Sequence, residues 1–281
     1  MTAATLYATS DLHVGYDENR RLFEKIRPTS SGDWLIVAGD VGERFDDVAE
    51  VLTLAAERFE TVIWAPGNHE LWTPPDDPVQ SRGAHRYEQL VQHCRTIGVR
   101  TPDDEYAIWR GAGGPALIAP LFVLYDYSFR MPGMETKAAA LEHAYATGIV
   151  CNDEKWLHPD PYPSREEWCW ARVAYTRERL EACDPALPVV FVSHFPLVRH
   201  PTDVLRYPQF AQWCGTELTA DWHVRYRAAA AVYGHLHIPR LTWQDGVPFQ
   251  EVSLGYPREW KARSDTPPPI MRPVRFGGGP G

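Results

Sequence analysis

Five short apolar runs punctuate the chain: Thr5 to Ala8, Trp34 to Ala38, Thr61 to Trp64, Val189 to Val192 and Ala231 to Tyr233. Each is rich in β-branched, aromatic or small apolar residues and is halted by glycine or a polar side chain, the pattern of a buried strand. Between the first three, residues Glu18 to Ile26 and Asp46 to Phe59 read as helices, the second opened by acidic residues that suit a helix N-terminus. The order strand, helix, strand, helix, strand predicts parallel strands joined by right-handed crossovers. In α/β sheets of that kind the ligand crevice lies at the carboxyl ends of the strands.

The residues that stop these runs carry the chemistry. They read Asp11-Leu12-His13, Gly39-Asp40, Gly67-Asn68-His69-Glu70, Ser193-His194 and Gly234-His235-Leu236-His237. On extended backbone, residues two apart point the same way, so Asp11 with His13 and His235 with His237 are expected to act as paired ligands. The segments offer oxygen and imidazole ligands and no sulfur. Such a set suits a pair of divalent cations of the Mn, Fe or Zn type and argues against a structural zinc cage. A lone Asp-x-His or Gly-Asp is common by chance, whereas five such segments in order at strand ends confirm one another. The expected chemistry is metal-assisted hydrolysis.

The ordered pattern resembles the calcineurin-like metallophosphoesterase superfamily from about residue 5 to residue 255. The resemblance implies an α/β fold, a four-layer α-β-β-α sandwich, in a single domain over residues 1–263, with a helical, aromatic-rich insertion at about 121–188. It implies that Asp11, His13, Asp40 and His237 hold one metal and Asp40, Asn68, His194 and His235 the other. Two cations about 3.5–4 Å apart activate water and stabilise both the attacking and leaving oxygens at phosphorus. The same resemblance makes His69 the general acid for the departing alkoxide. Glu43 and Arg44 follow Asp40 at a spacing similar to the Asp-Arg pair of the phosphoprotein phosphatase branch, where the acid orients the catalytic histidine and the arginine clamps phosphate. Gly42 and the use of Glu in place of Asp depart from that branch, and a solvated pair at a helix start fits the residues equally well.

Residues 33–41, 66–72, 125–129, 220–223 and 255–260 narrow the match, because their wording resembles that of the bacterial phosphopantetheinyl hydrolases. Enzymes of that family remove the 4′-phosphopantetheine arm from holo acyl carrier protein, so the resemblance implies a holo carrier as partner. Rings crowd the insertion, and Tyr125, Tyr127, Arg206, Tyr207 and His223 are candidate substrate-binding residues. Aromatics and arginines beside a metal crevice suit a phosphodiester with an apolar or amide-rich arm. Two other readings stay open: a nucleotide or cyclic-nucleotide phosphodiesterase, whose base would stack on the same rings, and a non-catalytic interaction module.

Composition sets bounds on these readings. The chain has 281 residues and 44% hydrophobic content, enough for a full core. A net charge of −9 argues against general nucleic-acid binding. No apolar run approaches a membrane span, and nothing ahead of the first strand reads as a secretory signal. Five cysteines without a CxxC pair read as reduced thiols, and the expected location is cytoplasmic. The tail, residues 264–281, is expected to be mobile because of Pro267 to Pro269 and Gly277 to Gly279. An acidic enzyme meets an acidic carrier only through a local basic surface. On the expected helix Ser164 to Ala182, Arg165, Arg172 and Arg179 recur every seven residues and offer a candidate docking face; a solvated face balanced by Glu166, Glu167, Glu178 and Glu181 is the other reading.

Overall fold

In the computed structural model, which describes residues 4–264 and 266–277, the first three apolar runs become parallel neighbours. They are β1 (Leu6–Thr9), β2 (Trp34–Val37) and β3 (Thr61–Trp64), connected by α1 (Asp17–Phe23) and α2 (Phe45–Ala56). Both helices end three residues short of the expected limits. Beyond α1 the chain tightens into turns, with the Lys25 and Ile26 N–H groups donating to the Leu22 and Phe23 carbonyls at 3.1 and 2.9 Å.

Helix α3 (Gly83–Thr96) leads to β4 (Ala107–Trp109) and β5 (Ala116–Pro120). The insertion follows, with α4 (Lys137–Ala146), α5 (Asp153–Trp156) and α6 (Arg165–Glu181). The chain then forms β6 (Val189–Val192), α7 (Trp222–Arg225), β7 (Ala228–Tyr233), β8 (Arg240–Gln244), β9 (Val247–Glu251), α8 (Pro257–Arg263) and β10 (Arg272–Pro273). These strands make two sheets, ordered β10-β1-β2-β3 and β4-β5-β6-β7-β9-β8. In the second, β5, β6, β7 and β9 are mutually parallel, and the outer β4 and β8 run antiparallel to them.

The period of two along each strand explains how the sheets pack. Leu6, Ala8, Ile36, Ala38 and Ile63 of one sheet share a cluster with Ile118, Val190, Val192, Ala230 and Val232 of the other. The alternate residues, among them Leu35, Val37, Val62, Trp64 and Phe191, belong to a larger cluster with Val48, Val51 and Leu52 of α2 and Leu90 and Val91 of α3. A bridge between Ser10 and Ser253 ties the sheets together just beyond β1 and β9. It brings the carboxyl ends of both sets of parallel strands to one edge of the molecule.

Two expectations are corrected here. The tail is not wholly mobile: β10 pairs antiparallel with Tyr7 and Ala8, and Thr9 Oγ1 donates to the Ile270 carbonyl at 2.6 Å. Without it β1 would present an unpaired edge, which folded proteins cover. Residues 265 and 278–281, including Gly278 and Gly279 of the glycine run, lie outside the described residues.

The second correction concerns α6. The helix forms as expected, capped by Ser164 Oγ, which accepts the Glu167 N–H at 3.1 Å. Its arginine face points inward. Arg165 pairs with Glu154 at 3.0 Å, Arg172 pairs with Asp103 at 2.7 Å above the rings of Tyr87 and Phe122, and Arg179 stacks on Tyr106. Heptad spacing places these residues on one face; it does not say what that face covers. Among the described residues, no helix is long and apolar enough to cross a membrane.

Candidate active site and metal centre

The liganding segments do not continue the strands, as the paired-ligand argument supposed. Each strand stops first, and the backbone then turns into the left-handed region at Asp11 (φ 52°), His13 (41°), Asp40 (53°), His235 (68°) and His237 (55°). A side chain larger than glycine seldom occupies that region, and such backbone strain clusters where function demands it. The turns also need glycine for close approach. A Cβ on Gly67 would lie 2.1 Å from Asp40 Oδ1, and one on Gly234 would lie 2.0 Å from Ser10 Oγ.

All seven expected metal ligands come together. The first group is Asp11, His13 and His237, with His237 Nε2 at 2.9 Å from Asp11 Oδ1 and 3.2 Å from His13 Nε2. The second is Asp40, His194 and His235, with His194 Nε2 at 3.3 Å from Asp40 Oδ2 and 3.2 Å from His235 Nδ1. Asn68 Oδ1 joins the second at 3.1 Å from His194 Nε2.

Supporting contacts turn these atoms toward one another. His194 Nδ1 donates to the Ala38 carbonyl at 2.9 Å, which leaves Nε2 as the acceptor. His237 Nδ1 is held at 2.7 Å by Glu259 Oε2, and Asp11 Oδ2 accepts from Ser253 Oγ at 2.7 Å. Carboxylate support of a liganding imidazole fixes its tautomer and raises its basicity. Acceptor lone pairs facing one another at about 3 Å repel unless a positive charge lies among them. His13 Nδ1 and His235 Nε2 are buried without a hydrogen-bond partner, the former with Glu43 Oε1 at 3.8 Å. The residues fit a pair of cations.

The local field agrees. Burial disfavours charge on His194, yet Asp40 and Asp11 raise its imidazole to about 10. The field that holds a proton there is the field that would hold a cation. Burial and the neighbouring His194 push His235 down to about 3, so it is a neutral, metal-ready imidazole. Burial and Asp40 lift Glu70 to about 7. Glu70 accepts the N–H groups of Asp40 and Gly67, both at 2.9 Å, and so clamps two of the liganding loops together.

His69 sits beside both groups. Its Nδ1 lies 2.9 Å from Glu43 Oε1, its Nε2 lies 3.7 Å from Asp40 Oδ2, and its ring stacks on Trp72 at 3.8 Å. Burial alone would lower its pKa; Asp40 and Glu43 overcome this and raise it, favouring the protonated acid. The orienting contact expected of Glu43 is therefore present. Arg44 lies apart: it is exposed and lines a neighbouring groove with Glu43, Trp72 and Trp156.

The ligands open into a cavity of about 610 Å³. Ile149, Val150 and Cys151 of the insertion form part of its wall, and Leu205, Arg206, Tyr207, Phe210, Arg258 and Arg263 line it from other segments. Arg206 and Tyr207 are thus placed as expected. Tyr125 and Tyr127 are not: both rings are fully buried, with hydroxyls bonded to Asp153 and Glu154. His223 is also displaced. It precedes β7, at the end opposite the ligands, and pairs with Asp245 at 2.7 Å. A ring count cannot separate core from crevice, because both favour aromatics.

The fold and site define a dinuclear metallohydrolase, and the chain belongs to the calcineurin-like phosphoesterase family, whose model matches residues 4–239. It is 54% identical over 259 residues to the [acyl-carrier-protein] phosphodiesterase PptH of Mycobacterium tuberculosis, covering 92% of this chain and 80% of that protein. The crystal structure of phosphopantetheinyl hydrolase (PptH) from the same organism superposes with a TM-score of 0.94 at 53% identity, over 97% of this chain and 96% of that one. A second crystal structure, of the Thermus thermophilus protein TT1561, shares the fold at a TM-score of 0.54 and 15% identity, over 90% of each chain.

Proposed function

We propose that this protein hydrolyses the phosphodiester joining the 4′-phosphopantetheine arm to the serine of holo acyl carrier protein. Water adds at phosphorus, the bond to the serine oxygen breaks, and apo carrier and phosphopantetheine are released. The observation that carries this reading is the 54% identity to a carrier-protein phosphodiesterase over 92% of the chain. The complete ligand set supports it, since a non-catalytic module has no use for seven converging ligands and a histidine poised as an acid.

In this reading Asp11, His13, Asp40 and His237 hold one divalent cation and Asp40, Asn68, His194 and His235 the other, with Asp40 shared. Mn and Fe suit this oxygen and imidazole set, with Zn as the alternative. When bound, they supply Lewis acidity to the phosphoryl oxygens and activate water. The chain's own residues do the rest. Glu43 holds His69 Nδ1, which leaves Nε2 facing the cluster to give its proton to the departing serine oxygen. Ile149, Val150, Leu205 and Phe210 offer apolar surface for the arm, and Arg206 and Arg258 give the mouth the basic character an acidic carrier requires. Five free thiols fit a reducing, cytoplasmic setting.

Pure metal-loaded protein is incubated with holo carrier and, separately, with cyclic nucleotide, and the products are weighed by mass spectrometry. Conversion of holo to apo carrier is the expected result. An intact holo carrier beside a cleaved cyclic nucleotide would replace this reading with that of a small-molecule phosphodiesterase.

A further inference from the structure

Asn68 brings a neutral amide to the second ligand group, and an amide ligates only if its oxygen faces inward. Three donors in this region converge on one buried carboxylate of the insertion. Asp153 Oδ1 accepts Asn68 Nδ2 at 2.8 Å and Trp72 Nε1 at 2.6 Å, and Asp153 Oδ2 accepts the Tyr125 hydroxyl at 2.9 Å. A carboxylate cannot donate, so the amide edge turned to Asp153 has to be the NH2. The oxygen is thereby directed at His194 Nε2, where it lies at 3.1 Å. Asp153 is fully buried, and its backbone carbonyl is held in turn by Arg165 Nη2 at 2.6 Å.

We propose that Asp153 is a positioning residue through which the insertion governs the second metal site. It sets the orientation of Asn68, and through Trp72 it steadies the ring stacked on His69. Residues 148–152, directly ahead of Asp153, line the cavity wall. One short stretch therefore lines the cavity on one side and anchors a metal ligand on the other. A shift of the insertion is felt as a loss of affinity at the second site.

The inference rests on the two-metal reading, so wild-type metal content is measured first; a wild type that binds no second ion overturns that reading and this inference with it, whereas a wild type that binds two leaves the variants to decide this inference alone. Asp153→Leu removes the acceptor and should weaken the second ion by about 10–100-fold while the first is kept, as loss of an outer-shell partner does. In Asp153→Asn, Oδ1 can still accept from Asn68 and Trp72 while the Tyr125 hydroxyl turns to accept from the new amide, so binding should stay near wild type. Asp153→Ala takes away the same acceptor with a smaller side chain and should lose the second ion likewise, which keeps the test open if Asp153→Leu does not fold. Titration of dialysed protein with Mn, followed by calorimetry and elemental analysis, reads all three. Unchanged affinity for both ions in folded Asp153→Leu or in Asp153→Ala would overturn the proposal, as would equal losses in Asp153→Asn and Asp153→Leu.

Discussion

At the scale of single residues, the site is a place where local backbone preference yields to ligand placement. Five of its ligands sit at positive φ, so their cost is met by the hydrogen bonds and packing that hold the loops. His69 is placed to act as an acid, and an acid matters most when the leaving group is poor. His69→Ala should slow hydrolysis of an alkyl phosphodiester by about 10²–10⁴-fold. Bis-p-nitrophenyl phosphate, whose phenolate departs unaided, should lose far less; equal losses in kcat on both substrates would take His69 out of the acid role. Asp40 is the ligand expected to be common to both ions. Asp40→Asn should therefore lower the occupancy of both, whereas His194→Ala should chiefly lower one, as elemental analysis of the dialysed variants would show. Two tightly held ions in Asp40→Asn would end the shared-ligand assignment.

At the scale of elements, α6 shows how a polar pattern can serve the interior. Arg172 is largely covered, bonded to Asp103 at 2.7 Å and lying over three rings. Arg172→Glu leaves Asp103 facing a like charge, and because this pair is only part-buried the cost lies below the about 3–5 kcal/mol of breaking a fully buried one. The variant should show a clearly lower denaturation midpoint by circular dichroism, and its KM for carrier should stay near wild type, any loss of folded protein showing in Vmax alone. A folded variant of normal stability with a selectively raised KM would restore α6 as a docking face. The residues that sequence reasoning passed over, Glu70, Asp153 and Glu259, act at this same scale. Glu70 and Glu259 stood inside motifs already singled out, Gly67 to Glu70 and Gly255 to Trp260, so a signal existed for both. Asp153 carried none, since its partners Asn68, Trp72 and Tyr125 lie 85, 81 and 28 residues away in the chain.

At the scale of the whole molecule, the net charge of −9 and the basic mouth of the cavity oppose one another. Arg206 and Arg258 are exposed there on different elements, one after β6 and one on α8, and they lie over Tyr207 and Tyr256. In the proposed function, an acidic carrier would enter the cavity between them. Arg206→Glu/Arg258→Glu should raise KM for holo carrier by about tenfold or more at low salt and flatten its salt dependence, because steering of this kind is screened by ions. Steady-state kinetics at two ionic strengths give the comparison. A KM that stays as steep in salt as that of wild type would place the approach elsewhere.

The sequence by itself determined the ligand inventory, the five strands that deliver it and the family. These follow from residue chemistry and from periods of two and 3.6, which are local properties of a chain. The fold supplied what depends on contacts between distant segments. It put three ligand loops from one sheet opposite two from the other, turned the arginines of α6 inward and took Tyr125 and Tyr127 into the core. It also paired the expected loose tail with β1 and carried His223 to the far end of its sheet. A pattern tells which residues share a face, but only the partner packed against that face decides whether it meets solvent, substrate or core.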